Sequence, residues 1–320
     1  MNDPILVPSS RGPISGIDTS GPESVRKDTR LLLVSNDAMR ARRRPVALFV
    51  YYMYQLALAL VVAWPVSRGL ARAFGGHPRG DSVLFDDGGW AILALRSAWE
   101  RVSPAFFALL AIVAIFGAVL GLVPLSALLT SISHATPDTR APRPRHLAPY
   151  VIATFAPLTW IFALGAALEL ALSAVALWTF GAVGEAVRAR TSDPRADQIA
   201  VLACFIVLMF AGAACVVHDL ARAALVRHRT GAFGAIRAAL VTFRRMPRVA
   251  WSWAWRGGVS IAVVIVVAAI VPRLGTKGAA SLIVIALLHQ VVALARTALR
   301  ASWLARALRA VDAAPRSRTR

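Results

Sequence analysis

Residues 105–130 read AFFALLAIVAIFGAVLGLVPLSALLT and carry no charged side chain. As a helix rising about 1.5 Å per residue, this run would extend roughly 39 Å, which exceeds the ~30 Å of hydrocarbon in a bilayer. The chain contains five further runs that are long enough to span. Together the six runs occupy residues 46–66, 105–130, 150–183, 198–217, 249–271 and 279–299. The sequence therefore predicts a protein that crosses a membrane six times.

These runs are predicted to be helices. Every backbone N–H and C=O group inside a bilayer needs a partner within the protein, and only helices and closed barrels provide one. The runs lack the alternation of apolar and polar residues that is typical of a barrel strand. The predicted fold class is all-α: a polytopic transmembrane helix bundle of about six spans, with two interfacial amphipathic helices.

The chain of 320 residues is strongly basic, with 36 Lys and Arg residues against 16 Asp and Glu residues and a formal net charge of +20. Nucleic-acid-binding proteins are also basic, but their charge is clustered on one face. Here the basic residues lie between and beside the apolar runs, so we expect no nucleic-acid partner. The lipid bilayer and its anionic lipids are the expected partners, because each Lys or Arg near the surface attracts anionic headgroups by about 1 kcal/mol.

The distribution of basic residues predicts the topology. When successive segments are assigned alternately to two sides, and Arg296 near the end of the sixth run is counted with the C-terminal tail, 25 basic residues fall on the side of both termini and 10 on the other side, while Arg256 lies within a run. The positive-inside rule then makes both termini cytoplasmic, with external loops near 67–104, 184–197 and 272–278. Of the 36 basic residues 34 are Arg, which is typical of a GC-rich bacterial genome, so we expect a bacterial inner membrane.

Three regions follow from these patterns. Residues 1–45 are rich in Pro, Ser, Gly and charged residues and are predicted to be a disordered basic cytoplasmic tail. Residues 46–311 are predicted to form the six-helix transmembrane domain. Residues 312–320 are predicted to be a second basic cytoplasmic tail. A membrane-protein partner and a homo-oligomer both stay open as alternatives.

The first amphipathic helix is predicted on the external side, where Trp90 and Trp99 are typical of a helix in the membrane interface. Asp81, Asp86 and Asp87 precede it. Three carboxylates can bind calcium, but these lack the spacing of an EF-hand loop. We therefore expect a solvated turn and no metal site.

The second amphipathic helix is predicted on the cytoplasmic side, over residues 232–246. Its apolar residues are spaced by three, four and three positions, and they are Phe233, Ile236, Leu240 and Phe243. Its basic residues lie elsewhere on the helix, and they are Arg237, Arg244 and Arg245. This pattern predicts a helix that lies on the inner leaflet, with its apolar face toward the acyl chains.

Small residues in the second run predict a close helix contact. Gly117 and Gly121 form a GxxxG motif, which lets a neighbouring helix approach, either within the chain or between subunits. The chain lacks the Walker A, HExxH and GxGxxG motifs, so no cofactor is expected. Cys204 and Cys215 lie three turns apart on one helix face and are predicted to be packing residues.

Ionisable residues inside spans are the candidate functional residues, because each costs at least a few kcal/mol at the bilayer centre unless it is paired. Glu169 and His289 are at similar predicted depths in the third and sixth runs and form a candidate intramembrane pair. Such a pair either fixes helix packing or carries a shared proton. Arg256 lies near the cytoplasmic interface and is predicted to be a snorkelling anchor.

A third alternative uses Ser260 and His289. A Gly-x-Ser stretch at Gly258–Ser260 and a His in a later span resemble the serine–histidine dyad of rhomboid intramembrane proteases. The resemblance ends at these residues, since the chain lacks the other motifs of that family. We therefore expect Ser260 to be a small packing residue, and we assign no catalytic residues.

Several short motifs carry a broader resemblance. They are His218–Ala223, His289-Gln290, Leu294–Arg296 and Ser302–Arg306. These motifs resemble uncharacterised multi-pass membrane proteins of GC-rich bacteria, and they are similar to the membrane domains fused to some glycerophosphodiester phosphodiesterases. The resemblance covers 218–309 and implies an envelope protein, without carrying catalytic residues over.

The expected role is non-enzymatic: a membrane scaffold, partner or lipid-contacting protein. The alternative is a small-solute or proton-coupled transporter that uses Glu169 and His289. A polar cavity that reaches these two residues would distinguish the transporter from the scaffold.

Overall fold

The computed structural model describes residues 32–33, 39–41, 44–74, 104–135, 144–188, 191, 193–274 and 279–314. Its elements in chain order are β1 Leu32–Leu33, α1 Pro45–Phe74, α2 Pro104–Leu120, α3 Leu122–Ser133, β2 His134–Ala135, α4 Pro144–Arg188, α5 Asp193–His228, α6 Ala232–Arg245, α7 Arg248–Leu274 and α8 Ala279–Ala313. The predicted external helix at 90–104 and Asp81, Asp86 and Asp87 lie outside the described residues, except that α2 begins at Pro104.

Six helices are long and apolar enough to cross a membrane. They cover Pro45–Gly69, Ala108–Ser133, Arg145–Arg188, Pro194–His228, Arg248–Val271 and Ile283–Ala313. In the apolar window of each, at most 17% of the residues are buried inside the bundle. The predicted all-α bundle of six spans is therefore confirmed, and most apolar side chains of the spans point outward, as a multi-pass membrane protein requires.

The second span is almost continuous, although it is divided into α2 and α3 at Gly121. Gly121 keeps right-handed helical angles (φ −62°, ψ −16°), and its N–H donates to the Gly117 carbonyl at 2.9 Å. Pro124 has no N–H to donate to the carbonyl of Leu120. The missing hydrogen bond explains why the helix of the second span is interrupted at Gly121 although the chain stays helical on both sides.

The third run is one helix, as predicted. α4 has 45 residues and contains both Pro149 and Pro157, and it would measure roughly 68 Å if straight. α5 returns alongside it as an antiparallel partner. Near the turn between them, Arg188 donates to Asp197 at 2.8 Å on the exposed surface.

The fourth and sixth spans run further than predicted. The apolar runs end near 217 and 299, whereas α5 continues to His228 and α8 to Ala313. Residues 219–227 are buried without exception. The charged residues of this buried segment are Asp219, Arg222 and Arg227, and each has an ion-pair partner in the bundle. The fall in hydropathy after residue 217 therefore marks the point where α5 becomes surrounded by other helices, and not the end of the helix.

One end of the bundle, which we call the basic end, is where α1 begins and where α3, α5 and α8 end. Arg227 joins these elements: it donates to the Ser133 carbonyl at 3.0 Å and to Asp312 at 3.0 Å. Arg44 donates to the His134 carbonyl at 3.2 Å. Both arginines therefore place positive charge at the C-terminus of α3, where the helix dipole favours it. The short β1–β2 ladder, with Leu33 opposite His134, covers the same end.

The hydrophobic core is concentrated toward the basic end. Its largest fully buried apolar side chains on α3, α5 and α8 are Leu128, Leu129, Ile132, Leu220, Leu225, Trp303, Leu304 and Leu308. Small residues such as Ala223, Ala224 and Ala307 lie between them and allow the helices to approach closely. This packed region fixes the positions of the polar groups described below.

The predicted helix at 232–246 is observed as α6, but its apolar face is divided. Ala235, Ala239 and Thr242 are the residues buried against the core. Ile236 and Phe243 are partly buried there, whereas Phe233 is 83% exposed and Leu240 is exposed. The basic residues Arg237, Arg244 and Arg245 are all exposed. α6 thus packs on the bundle through small residues, and of the predicted apolar face only Phe233 and Leu240 are exposed.

Candidate functional site

Glu169 is paired across the α4–α5 interface, but with His218. The His218 Nδ1 atom lies 3.0 Å from Glu169 Oε1. The His218 side chain is buried, whereas that of Glu169 is 39% exposed. A Cβ atom added at Gly165 would overlap the His218 ring, so the missing side chain at Gly165 makes room for the imidazole. His218 Nε2 has no hydrogen-bond partner within the described part of the chain.

The predicted pairing of Glu169 with His289 is wrong. His289 is exposed, and its Nδ1 atom lies 2.8 Å from the carbonyl of Ile285 in its own helix. Similar depth in two spans does not determine which way each side chain points. α4 packs along α5, whose His218 lies one residue beyond the predicted end of that span.

A second buried group is centred on Asp219, whose side chain is 3% exposed. Arg300 of α8 donates to both carboxylate oxygens of Asp219, each at 2.5 Å. Trp303 donates from Nε1 to the same carboxylate at 2.7 Å. Arg222 of α5 lies 3.4 Å from Asp219 and above the ring of Phe162. Two arginines and an indole therefore neutralise and orient one carboxylate between α5 and α8.

Sequence reasoning missed this group, because the fourth predicted span ends at residue 217 and Asp219 lies beyond it. A usable signal is present in the chain. Asp219 and Arg222 are three positions apart in a stretch that otherwise contains Leu and Ala, the spacing of an ion pair on a continuing helix.

A cavity of about 530 Å³ lies beside this group, between α1, α7 and α8. Its charged lining residues are Arg256, Arg296 and Arg300. Uncharged polar groups come from Tyr52, Gln55, Ser260 and Thr297 on the same three helices. Neither Asp nor Glu is among the described residues that line it. Arg300 is paired with Asp219, so the cationic character of the cavity comes from Arg256 and Arg296. The cavity lies within helices that are long enough to cross a membrane.

Two of the three arginines have only uncharged partners among the described residues. Arg296 is exposed and donates from Nε to Ser260 Oγ at 3.1 Å. Arg256 donates to the Ser252 carbonyl at 2.9 Å and to Ser302 Oγ at 3.3 Å, and it also contacts Ser252 Oγ. The two charges are thus held in place by serine oxygens but are not neutralised by them.

These contacts bear on two sequence hypotheses. Ser260 hydrogen-bonds Arg296, while His289 bonds its own helix, so the two residues do not form a dyad. Arg256 leans on Ser252, one turn toward the start of α7, which is the direction expected of a snorkelling side chain. The same arginine also lines the cavity, which the sequence did not indicate.

The GxxxG motif lies against α1 of the same chain. A Cβ atom added at Gly117 would overlap Leu58, and one added at Gly121 would come within 3.1 Å of the Tyr54 ring. The Tyr54 hydroxyl also donates to the Gly117 carbonyl. The motif thus packs two helices of one subunit together.

His134 lies at the basic end, just beyond the second span, and is 2% exposed. Its Nδ1 atom is 2.7 Å from Ser133 Oγ and 3.3 Å from the Thr130 carbonyl. Burial and the nearby Arg229 lower the pKa of His134 to about 4, with a smaller contribution from Arg227; the Thr130 hydrogen bond opposes them. The imidazole is therefore neutral at pH 7.

The chain matches no protein-family model, no curated protein and no solved structure. The geometry of the site therefore carries the functional argument.

Proposed function

We propose that this membrane protein is a non-enzymatic lipid-binding protein of the bacterial inner membrane, with both termini in the cytoplasm. In this proposal the cavity between α1, α7 and α8 holds the headgroup of an anionic lipid. The observation that carries it is the pair Arg256 and Arg296, whose described partners are uncharged.

Charge compensation supports an anionic ligand. An arginine inside a membrane span costs at least a few kcal/mol unless an anion or water neutralises it. Among the described residues, no carboxylate lines the cavity beside Arg256 or Arg296. A phosphate group would accept charge-assisted hydrogen bonds from both guanidinium groups, which are among the strongest in proteins.

The position of the cavity supports a lipid as the source of that anion. Trp251 and Trp255 are highly exposed just before Arg256 in α7, and exposed Trp residues are typical of the membrane interface. Leu56, Ala59 and Ala293 supply apolar lining in the same cavity. The cavity thus has a cationic part and an apolar part. A lipid would place its headgroup on the arginines and an acyl chain against the apolar wall.

Proton-coupled transport is the second candidate function, and the Glu169–His218 hydrogen bond favours it. A carboxylate and an imidazole between two spans can share a proton. Neither residue lines the cationic cavity, so this function would need a route that the cavity itself does not supply.

The lipid proposal can be tested with a matched pair of glycines. Gly257 lines the cavity and Gly258 does not, while a Cβ atom added at either would meet nothing within 4 Å. Gly257→Leu should therefore place a bulky side chain at the wall of the cavity, where its Cβ atom meets no other group, and Gly258→Leu serves as its control. Binding of phosphatidylglycerol to the purified full chain would be measured by native mass spectrometry in detergent.

We expect Gly257→Leu to weaken phosphatidylglycerol binding at least about tenfold, since a bulky side chain removes one or more charge-assisted contacts. Gly258→Leu should bind like the parent. The double change Arg256→Gln and Arg296→Gln should weaken binding further. Equal binding by the parent and all three variants would reject the cavity as the lipid site.

A further inference from the structure

The size of the cationic cavity bears on the headgroup it takes. Its volume is about 530 Å³. A phosphate group fills only a small part of such a space. A headgroup that leaves the remainder empty would forfeit most of the contacts that the walls provide.

The uncharged polar groups of the cavity point to the missing part of the headgroup. Thr297, which is 4% exposed, donates to Gln55 Oε1 at 3.0 Å, so the hydroxyl and the amide are held side by side. Tyr52, whose hydroxyl donates to Gln290 Oε1, and Ser260, whose Oγ accepts from Arg296, add two further hydroxyl oxygens to the walls. Hydroxyl and amide groups both donate and accept, and they therefore pair well with hydroxyl groups of a ligand.

An aromatic wall completes this arrangement. Trp253 lines the cavity and is half-buried, with its ring about 3.5 Å from the position of a Cβ atom on Gly212 of α5. The ring is thus fixed by packing against a neighbouring helix. A fixed indole face offers an apolar surface for the C–H groups of a polyol or sugar ring.

We infer that the anionic lipid carries a polyhydroxylated headgroup, a sugar or polyol, whose phosphate lies on Arg256 and Arg296 and whose hydroxyl groups lie on Gln55 and Thr297. This inference rests on the proposed function and narrows its ligand. It requires the cavity to distinguish anionic lipids by their hydroxyl groups as well as by their charge.

The test compares three lipids on the purified full chain: phosphatidic acid, phosphatidylglycerol and phosphatidylinositol. The number of headgroup hydroxyls rises in that order, while the negative charge does not rise. Native mass spectrometry with titrated lipid would give relative affinities. We expect phosphatidylinositol to bind at least about fivefold more tightly than phosphatidic acid, the gain from one additional net hydrogen bond.

Variants of the two hydroxyl-binding residues identify the source of the preference. Thr297→Val and Gln55→Leu keep the size of each side chain but remove its polar group. Each should lower the preference for phosphatidylinositol over phosphatidic acid by about fivefold, while thermal unfolding reports whether the bundle stays intact. Gly258→Leu again serves as the control and should keep the preference.

The outcomes separate the two proposals. Equal affinity for the three lipids, lost in Gly257→Leu, would overturn the polyol headgroup and leave anionic-lipid binding standing. Absence of binding to all three would overturn both. A preference for phosphatidylinositol that survives in folded Thr297→Val and Gln55→Leu would overturn the assignment of these residues.

Discussion

The two halves of α5 follow opposite rules of burial. Between residues 201 and 210, large side chains such as Phe205, Met209 and Phe210 are exposed. Between residues 219 and 227, Ala223, Ala224 and even the charged Asp219 are buried. Where lipid surrounds a helix, apolar side chains gain nothing by turning inward. Where helices surround it, the same chain has an ordinary interior of small residues, Leu and paired charges.

α8 shows the same contrast between an exposed half and a buried half. The contrast is therefore a property of the whole bundle and not of α5 alone. Leu287 and Val291 are exposed, whereas Ala301, Leu304 and Leu308 are buried. The change occurs beside Arg300, whose ion pair with Asp219 joins the two helices at that level. We therefore expect substitutions in the buried halves to be costly and matched substitutions in exposed positions to be mild.

The largest expected effect is that of Asp219→Ala. This change leaves Arg300 without its bidentate partner and Trp303 without its acceptor, and breaking a buried ion pair costs about 3–5 kcal/mol. The thermal unfolding midpoint in detergent should fall sharply. Asp197→Ala breaks the exposed pair with Arg188 and should cost at most about 1 kcal/mol. Equal losses in the two variants would contradict the contrast.

The next effect is the pH dependence that arises from His134. The unfolded chain takes up a proton on this residue near pH 6.5, whereas the folded protein resists it until about pH 4. The free energy of unfolding therefore has its full contribution from neutral His134 above pH 6.5. It should fall by up to roughly 3 kcal/mol as the pH drops from 6.5 to 4. Unfolding midpoints measured between pH 7 and 4 would show the decline. His134→Gln should flatten it, and an unchanged slope in that variant would assign the decline to other groups.

A smaller loss is expected for Gly165→Ala. The new methyl group would overlap the His218 ring and push it from Glu169, at a cost of about 1–3 kcal/mol. Gly181→Ala on the same helix meets nothing within 4 Å and should be neutral or slightly stabilising. Thermal unfolding of both variants measures the difference. If Gly165→Ala were as stable as Gly181→Ala, the close fit of the imidazole would be refuted.

The smallest effect is expected for Glu169→Gln. The amide can still hydrogen-bond His218, so the loss should be in the range of about 0.6–2 kcal/mol found between membrane helices. If the pair carries protons, the same change should abolish pH-dependent uptake in vesicles while the protein stays folded. Unaltered uptake would leave Glu169 with a packing role.

The fold was predictable from the sequence because the bilayer imposes a length and a polarity that can be counted along the chain. Depth in the membrane is readable in the same way, and it correctly marked Glu169 as a residue inside a span. The direction in which a side chain points around the helix axis cannot be predicted in this way, since a span that is apolar on all sides has no preferred face. That is why His289 was a plausible partner and His218 the actual one.

The pairing of Asp219 with Arg300 could not be predicted from the sequence, for a related reason. Asp219 and Arg300 are 81 positions apart, and either alone is typical of a helix end at the membrane surface. Only the packing of α5 against α8 brings the two charged residues together as one buried ion pair. The cationic cavity depends on a third helix as well, because Tyr52 and Gln55 of α1 face the arginines of α7 and α8.

The length of α4 has a consequence for the membrane around the protein. Its apolar run, residues 150–183, would measure about 51 Å as a straight helix, well beyond the ~30 Å of hydrocarbon in a bilayer, and Leu177, Trp178 and Phe180 near its far end are exposed. Hydrophobic mismatch of this size is relieved by tilt or by local thickening of the bilayer. The helix therefore makes the protein sensitive to bilayer thickness, and acyl chains of different length should change its stability and its sorting between membrane regions.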